Sequence, residues 1–262
     1  MDYALITGAS GGIGYALAEV FAANGWGLLL SASRADRLEA ARARLAERFD
    51  TPVQLFVQDL AQSGSAQALY GQVKAAGFDI AALVNGAGFG LLGPAEALEI
   101  DREEAMLAVN AAALTTLTKL CLAEMKGRGR GYILNIASTG AFQPGPYNAG
   151  YFASKAYVLS YTRAVRWEAR GSGVFVSALC PGTTGTGFFA REGIAVPAGA
   201  MSAGEVALAG YRGLMKNREI VVPGGWNRLL RLAPSGIKMR VVGWVKAGQI
   251  RERGDAQAPS AK

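Results

Sequence analysis

The sequence predicts an α/β fold, a single doubly wound parallel sheet with helices on both faces. Short β-branched or leucine-rich runs alternate with longer amphipathic segments along most of the chain, as in repeated β–α–β units. A glycine-rich turn separates the first of these runs from the first helical segment. No internal repeat, low-complexity tract or proline-rich linker divides the 262 residues, so we expect one folded domain.

The elements follow one another in strict alternation. Runs with the composition of buried strands cover residues 3–7, 27–31, 53–58, 81–85, 131–137, 174–180 and 219–222. Segments with apolar residues at helical spacing cover residues 14–24, 36–49, 63–76, 101–126 and 151–170. This order is typical of a parallel sheet, and we predict a core domain over residues 1–225 with an extension over 226–262.

The composition excludes several classes of protein. No window of about 18 residues is uncharged and continuously apolar, and the chain enters a predicted strand at once, so we expect a cytoplasmic protein. Histidine is absent, which excludes Ser-His-Asp and Cys-His catalysis and histidine-bearing zinc sites. We expect no metal site, and we predict that the solitary Cys121 and Cys180 are small core residues.

Tyr151 and Lys155 are candidates for acid–base chemistry. They stand four residues apart in a predicted helix, so both side chains lie on one face. An ammonium beside a phenol favours the ionised phenol, and we expect Lys155 to lower the pKa of Tyr151 toward neutral pH. Such a pair alone also fits an ordinary contact on a helix surface, so its weight depends on the other motifs.

The turn Thr7-Gly8-Ala9-Ser10-Gly11-Gly12-Ile13-Gly14 lies between the first predicted strand and the first predicted helix. Glycine lets the backbone approach a pyrophosphate closely, and the free N–H groups at the helix start attract its charge. A glycine-rich turn can also simply connect two elements without binding a ligand. Its position favours a Rossmann-type dinucleotide site, with candidate contacts at Gly8, Ser10, Gly12, Ile13 and Gly14.

Further motifs follow, and with the glycine turn they resemble the short-chain dehydrogenase/reductase family over residues 2–225. Four motifs of the family occur here in order. They are the TGxxxGxG glycines, the NNAG signature with glycine in second place, the Asn-Ser-Tyr-Lys tetrad and the Pro-Gly loop. They stand at Thr7, Gly8, Gly12 and Gly14; at Asn85-Gly86-Ala87-Gly88; at Asn110, Ser138, Tyr151 and Lys155; and at Pro181 and Gly182, followed by Thr184 and Thr186.

The resemblance implies an oxidoreductase that interconverts a carbonyl and an alcohol, and it implies a role for each tetrad residue. Tyr151 would exchange a proton with the substrate oxygen, Lys155 would support it and hold the nicotinamide ribose, and Ser138 would bind the same oxygen. Asn110 would hold a water that passes protons to Lys155. The open alternatives are that Ser138 caps a loop and that Asn110 satisfies backbone groups.

The resemblance also implies the remaining cofactor contacts, which are Asp59, Leu60, Asn85, Ala87, Gly88, Pro181, Gly182, Thr184 and Thr186. The choice of dinucleotide depends on the end of the second strand. Ala32 occupies the position where an NAD site usually carries an acidic residue. Ser33 and Arg34 follow it and suit a 2′-phosphate, so we expect NADP(H) rather than NAD(H). Alternatively, Arg34 and Arg37 only solvate the start of the next helix.

The segment 187–201 lies where this family carries its substrate lid. Its apolar side chains, with those that follow the NGAG turn, favour a hydrophobic carbonyl or alcohol, although they equally fit packing of the lid on the body. The side chains are Phe188, Phe189, Ile194, Val196, Phe89, Leu91 and Leu92.

The C-terminal extension carries all of the basic excess. Residues 211–262 hold 11 Lys and Arg against 3 Asp and Glu, a net charge of +8, whereas residues 1–210 hold 16 against 17. Tryptophan, leucine and valine are interleaved with these cations, which suits a helix on an anionic membrane surface. We favour helices that flank the substrate cleft or a subunit contact over membrane binding, and we expect the last ten residues or so to be disordered.

Alternatives from other classes remain open. A non-catalytic member of the same fold that senses a dinucleotide or binds a partner would be marked by loss of a tetrad residue, and none is lost. An epimerase of the related extended group needs a larger C-terminal domain than about 50 residues can supply. Nucleic-acid binding is not expected, since no recognition motif accompanies the charge. We expect a homodimer or homotetramer, as the resemblance implies.

Overall fold

The structure is a computed structural model that describes residues 1–230 and 233–257. Its strands are β1 Tyr3–Thr7, β2 Gly27–Ala32, β3 Val53–Val57, β4 Ile80–Asn85, β5 Gly131–Ile136, β6 Val174–Leu179, β7 Thr184–Gly185, β8 Met201–Ser202 and β9 Ile220–Val221. Seven of them form one parallel sheet in the order β3-β2-β1-β4-β5-β6-β9, and β7 and β8 form a separate pair. All the strands predicted from the sequence are confirmed to within one residue at each end.

The helices are α1 Gly12–Ala23, α2 Ala35–Ala46, α3 Ser65–Ala75, α4 Ile100–Leu107, α5 Leu114–Arg128, α6 Ala149–Glu168, α7 Gly187–Glu192, α8 Ala203–Met215, α9 Gly225–Leu230 and α10 Ser235–Gln257. The predicted helix over 101–126 is α4 and α5 joined by a π-helical segment, Ala108–Ala113. The sequence pattern missed α8, although Ser202 and Glu205 form the capping box that starts it.

Helices cover both faces of the sheet, as predicted. Successive residues of β1 point to opposite faces, so Ala4 and Ile6 pack in one core with α1, α2 and α8. Leu5 packs in the other core with α3, α5 and α6. Cys121 and Cys180 are buried and form no disulfide, in agreement with their prediction as core residues.

The order of the strands reverses between β1 and β4. Thr7 at the end of β1 pairs with Asn85 at the end of β4. The Thr7 hydroxyl accepts hydrogen bonds from the backbone N–H groups of Gly86 and Ala87, both at 3.1 Å. In open α/β sheets, ligands bind outside the carboxyl ends of the strands where this reversal occurs.

One helical stretch, Ile100–Arg128, is long and apolar enough to span a membrane. Its buried side chains, among them Leu117, Cys121 and Met125, pack in the core beneath the sheet. In this structure the stretch is therefore part of the helical layer that covers one face of the sheet. At the C-terminus, α10 runs to Gln257 through part of the segment predicted to be disordered, and residues 258–262 lie outside the described residues.

Candidate active site

A cavity of about 920 Å³ opens at the carboxyl ends of β1 and β4. Most of the residues predicted from the sequence line it, and these are Gly8, Ser10, Gly12, Ile13, Gly14, Ser33, Asp59, Leu60, Ala87, Gly88, Ser138, Tyr151, Lys155, Pro181, Gly182, Thr184 and Thr186. Arg34, Asn85 and Asn110 are not among the residues that line it.

The start of α1 faces this cavity. Neither a side-chain cap nor an acidic residue in the first turn occupies the N–H groups there. Ser10, Gly11 and Ile13 line the cavity at this end. Free N–H groups and the positive end of the helix dipole attract a phosphate, so this end of the cavity fits a dinucleotide pyrophosphate.

Glycine is required where the turns after β1 and β4 meet. Gly8 has a φ of +69°, and a Cβ there would lie 2.8 Å from the Cα of Ala87. A Cβ on Gly14 would lie 2.3 Å from the carbonyl oxygen of Gly8. A larger residue at Gly8 would push the two turns apart, and one at Gly14 would displace the turn after β1 from the start of α1.

The adenosine end is lined by Ser33 and Arg37, and the prediction for Arg34 needs correction. Arg34 makes two hydrogen bonds to the carboxylate of Asp36, at 2.9 and 2.7 Å, and its side chain is 60% exposed. The carboxylate holds the guanidinium at the start of α2. Arg37 is the arginine beside the cavity, and the only signal for it in the sequence was its place in the first turn of that helix.

Two further groups complete this end. The Asp59 carboxylate accepts from the backbone N–H of Ala61 at 3.1 Å, which fixes the turn that presents Leu60 to the cavity. The Ser31 hydroxyl is buried at the cavity wall and has no hydrogen-bond partner among the described residues. A buried polar group without a partner is uncommon, and a ligand that hydrogen-bonds to Ser31 would satisfy it.

Tyr151 lies at the other end of the cavity, and its environment differs from the predicted one. Burial raises the pKa of its phenol above the ordinary value, a hydrogen bond with Ser138 lowers it in part, and the Glu192 carboxylate raises it. The Ser138 hydroxyl also accepts from the N–H of Gly140 at 3.0 Å, so this residue caps its loop as well.

Lys155 does not lower the pKa of Tyr151 as predicted. Its ammonium lies 5.8 Å from the centroid of the Tyr151 ring and donates to the carbonyl oxygen of Ile136 at 2.8 Å. The side chain is buried, and burial lowers the pKa of Lys155 from 10.5 to about 8. The physical reason is that the site removes water from both groups, which disfavours the charged form of each.

Asn110 is buried in the π-helical segment, and its side chain hydrogen-bonds to other residues of the protein. Its amide donates to the carbonyl oxygen of Phe89 at 2.9 Å and to the Ser154 hydroxyl at 3.1 Å. Its amide oxygen accepts from the N–H of Phe89 at 3.1 Å. Asn110 therefore fixes the turn after β4 through the backbone of Phe89.

Asn85 also lies behind the cavity wall. Its amide donates to Asn135 at 2.8 Å and to Thr118 at 3.0 Å, in a buried polar cluster between the sheet and α5. The prediction placed Asn85 on the cofactor. Its side chain points into the protein because Thr118 and Asn135 accept its amide hydrogens there.

The apolar side chains predicted for the lid divide into separate groups. Phe188 and Phe89 line the cavity, and the Phe188 ring lies 5.3 Å from the ring of Tyr151. Leu91 and Leu92 are buried, Ile194 is partly buried, and Val196 is 49% exposed, so Val196 does not cover the pocket. The side chain of Phe189 lies outside the described residues.

The C-terminal extension contributes to the cavity, in agreement with the hypothesis of helices beside the cleft. Val242 and Lys246 of α10 line it, together with Gln143, Asn148 and Phe152, none of which was predicted. No short motif marks these positions, because they meet only in the folded chain.

An ion pair links α10 to the lid. The Lys246 ammonium lies 3.4 Å from the carboxylate of Glu192 in α7. That carboxylate is fully buried and accepts from the Asn148 amide at 2.8 Å. A buried carboxylate of this kind depends on its partners, so the lid and α10 are held against the catalytic end together.

Comparison with known proteins agrees with this geometry. The sequence profile of the family described as short chain dehydrogenase matches residues 2–194. The chain is 34% identical over 190 residues to a sulfoacetaldehyde reductase of Chromohalobacter salexigens, covering 71% of this chain and 74% of that protein.

Solved structures are similar over the whole chain. A short-chain dehydrogenase from Sphingobium yanoikuyae, in complex with NADPH, has a TM-score of 0.80 at 28% identity and covers 100% of this chain and 98% of its own. The bulky-bulky ketone specific alcohol dehydrogenase from Comamonas testosteroni has a TM-score of 0.77 at 26% identity, with 100% and 96% covered.

The lowered pKa of Lys155 predicts a pH dependence of stability. Between about pH 8 and 10.5 the unfolded chain binds a proton at this lysine that the folded chain has lost, so stability rises with pH there. In Lys155→Met this contribution is absent. We expect the free energy of unfolding of the wild type to rise, relative to that of the variant, by up to about 3 kcal/mol across this window, at about 1.4 kcal/mol per pH unit.

Urea denaturation of both proteins near pH 7.5 and pH 10 measures this gain. Lys216→Met, at an exposed position, is the matched control. A difference between wild type and Lys155→Met that stays constant over the window would show that the folded pKa of Lys155 is not lowered.

Proposed function

The chain belongs to the short-chain dehydrogenase family, and from that premise we propose that it is an NADP(H)-dependent oxidoreductase for a hydrophobic carbonyl and its alcohol, with Tyr151 as the acid–base group. Proteins of this family are oxidoreductases that act on carbonyl or alcohol groups with a nicotinamide dinucleotide. One observation carries the proposal. The partly buried Tyr151, its partner Ser138 and the buried Lys155 line the same cavity as an uncapped helix start that fits a pyrophosphate.

The residues of this chain would hold the dinucleotide at both ends of the cavity. The start of α1 and the glycine turn would receive the pyrophosphate, and Lys155 and the 181–186 loop would border the nicotinamide end. When bound, the dinucleotide supplies or accepts the hydride. The protein's contribution is to orient it and to handle the proton.

Tyr151 is suited to proton donation. Because burial raises its pKa, the phenol stays protonated at neutral pH and can give its proton to a carbonyl oxygen. Ser138 already hydrogen-bonds to the phenol and would donate to the same oxygen. Lys155, in the same wall of the cavity, would border the nicotinamide ribose rather than ionise the phenol. This arrangement supports reduction of a carbonyl.

The adenosine end supports NADP(H) over NAD(H). Ser33 and Arg37 line it, and Ala32 provides no carboxylate for a ribose 2′-hydroxyl. An arginine donates to phosphate in a planar fork, so Arg37 suits the 2′-phosphate. The structural relative from Sphingobium yanoikuyae is in complex with NADPH, which supports the same preference.

The substrate end supports a bulky apolar carbonyl compound. Phe89, Phe152, Phe188 and Val242 give it a largely apolar wall, with polar groups confined to a few positions. The structural relative from Comamonas testosteroni is named for bulky ketones, which supports a substrate of this kind. The cavity would therefore discriminate by shape and apolar contact more than by charge.

We also propose a homo-oligomer in the cytoplasm. Ile100 and Leu107 lie on one face of α4 and are 73% and 46% exposed, and Tyr157 of α6 is 45% exposed. Contact with a second copy would bury these side chains.

Tyr151→Phe tests the acid–base assignment. Removing the hydroxyl leaves the ring and the cavity in place, so we expect the kcat for a ketone to fall by about 10²- to 10⁴-fold with NADPH affinity little changed. Tyr157→Phe, on the same helix but at an exposed position, should keep its activity. Substantial turnover by Tyr151→Phe would contradict the mechanism.

Arg37→Ala tests the choice of dinucleotide. Loss of a charge-assisted phosphate contact should weaken NADPH binding by about 10- to 100-fold and NADH binding much less. The matched control is Arg34→Ala, which removes an arginine held by Asp36 away from the cavity. Fluorescence titration with both dinucleotides measures the effect, and a larger loss in Arg34→Ala would restore the assignment made from the sequence.

Leu107→Glu tests the oligomer. A charge on the exposed face of α4 should dissociate the protein to monomers in analytical ultracentrifugation, because the carboxylate would be buried without a partner. Val57→Glu, at a 50% exposed position on the edge strand β3, is the control and should keep the wild-type mass. A monomeric wild type would refute the proposal.

A further inference from the structure

The last helix, α10, carries apolar side chains on two opposite faces. On the inner face, Val242 lines the cavity and Lys246 pairs with Glu192. On the outer face, Ile237, Val241 and Trp244 are 59%, 56% and 81% exposed. Exposed apolar side chains grouped on one face of a helix mark a surface that another molecule covers. The fold of one chain therefore leaves the outer face of α10 without an occupant.

The preceding helix, α9, has the same character. Trp226 is 70% exposed and Leu229 is 58% exposed. Trp244 in α10 is more exposed than any other large hydrophobic side chain among the described residues. Tryptophan favours the boundary between water and lipid, because its ring is apolar and its N–H is polar.

Cations outnumber acids around these side chains, and the two acids of α10, Glu252 and Asp255, come at its end. Residues 220–251 contain no Asp or Glu and six cations, which are Arg228, Arg231, Lys238, Arg240, Lys246 and Arg251. Arg228, Arg240 and Arg251 are exposed. At about 100° per residue, Arg240, Trp244 and Arg251 fall within about 40° of one another around α10. The exposed face thus combines a tryptophan with guanidinium groups that can reach phosphates.

We propose that α9 and α10 bind the surface of a membrane that contains anionic lipids. The exposed aliphatic and indole side chains enter the headgroup region, and the arginines contact lipid phosphates. The membrane covers the outer face of α10, and the inner face stays on the cavity. This assigns the basic excess of the extension to a partner of opposite charge.

A second copy of the chain fits this surface less well. In a two-fold symmetric contact the same patch lies on both sides, so the cations of one α10 would face those of the other. The stretch has no carboxylate to neutralise them, and like charges across an interface are unfavourable. An anionic lipid surface supplies the missing counter-charge.

One consequence rests on the proposed function. Because Val242 of α10 lines the cavity, membrane binding would bring the cavity close to the lipid, and an apolar carbonyl dissolved in the bilayer would reach it beside α10. The membrane binding itself does not depend on the chemistry of the site. The two can therefore fail separately.

Co-sedimentation of the full-length chain with vesicles tests the proposal. Vesicles of phosphatidylcholine mixed with phosphatidylglycerol should bind the protein, those of phosphatidylcholine alone should bind it much less, and added salt should weaken binding. Trp244→Ser should reduce the partition coefficient at least about tenfold. The matched control is Trp167→Ser, which removes a 65% exposed tryptophan from α6 and should bind as the wild type does.

NADPH titration of each variant shows whether the cavity is intact, so loss of vesicle binding can be separated from misfolding. Equal sedimentation with both kinds of vesicle, or equal binding by Trp244→Ser and the wild type, would overturn the proposal. A third result would also overturn it. If the wild type did not bind vesicles and Trp244→Ser had a lower oligomeric mass than the wild type, the outer face of α10 would belong to a contact with a second copy.

Discussion

The candidate site depends on how closely the turns after β1 and β4 approach each other. Gly8 and Ala87 are near enough that a Cβ on Gly8 would lie 2.8 Å from the Cα of Ala87, and Thr7 binds the backbone of the second turn. This contact sets the floor of the cavity. It places the start of α1 on one side and the turn held by Asn110 on the other, so a small displacement here would move both ends of the site.

Desolvation governs the chemistry of the catalytic end. A tyrosine and a lysine one helical turn apart suggest that the ammonium ionises the phenol, but burial acts against the charged form of both groups. In the folded chain the pKa of Tyr151 is raised and that of Lys155 is lowered to about 8. Spacing alone therefore predicted two residues that line the same cavity, but it gave the wrong direction for the pKa of the tyrosine.

Local patterns predicted the strands and the glycine turn, because each depends on its own few residues. The sequence alone does not show which arginine lies beside the cavity. Asp36 forms an ion pair with Arg34, and Arg37 lines the cavity wall. The pairing of Glu192 with Lys246 joins residues 54 apart along the chain, and no motif marks it. Contacts of this kind, between residues far apart in the chain, could not be predicted from the sequence.

The cavity is lined by α10 as well as by the Rossmann-type core. We propose that this cavity reduces carbonyl compounds with NADPH. The most direct test incubates the full-length protein with NADPH and a panel of aldehydes and bulky ketones, and it measures both NADPH absorbance and the alcohol formed. We expect one NADPH to be oxidised for each molecule of alcohol, at the highest rate with apolar ketones. Tight binding of NADPH without oxidation by any member of the panel would contradict it.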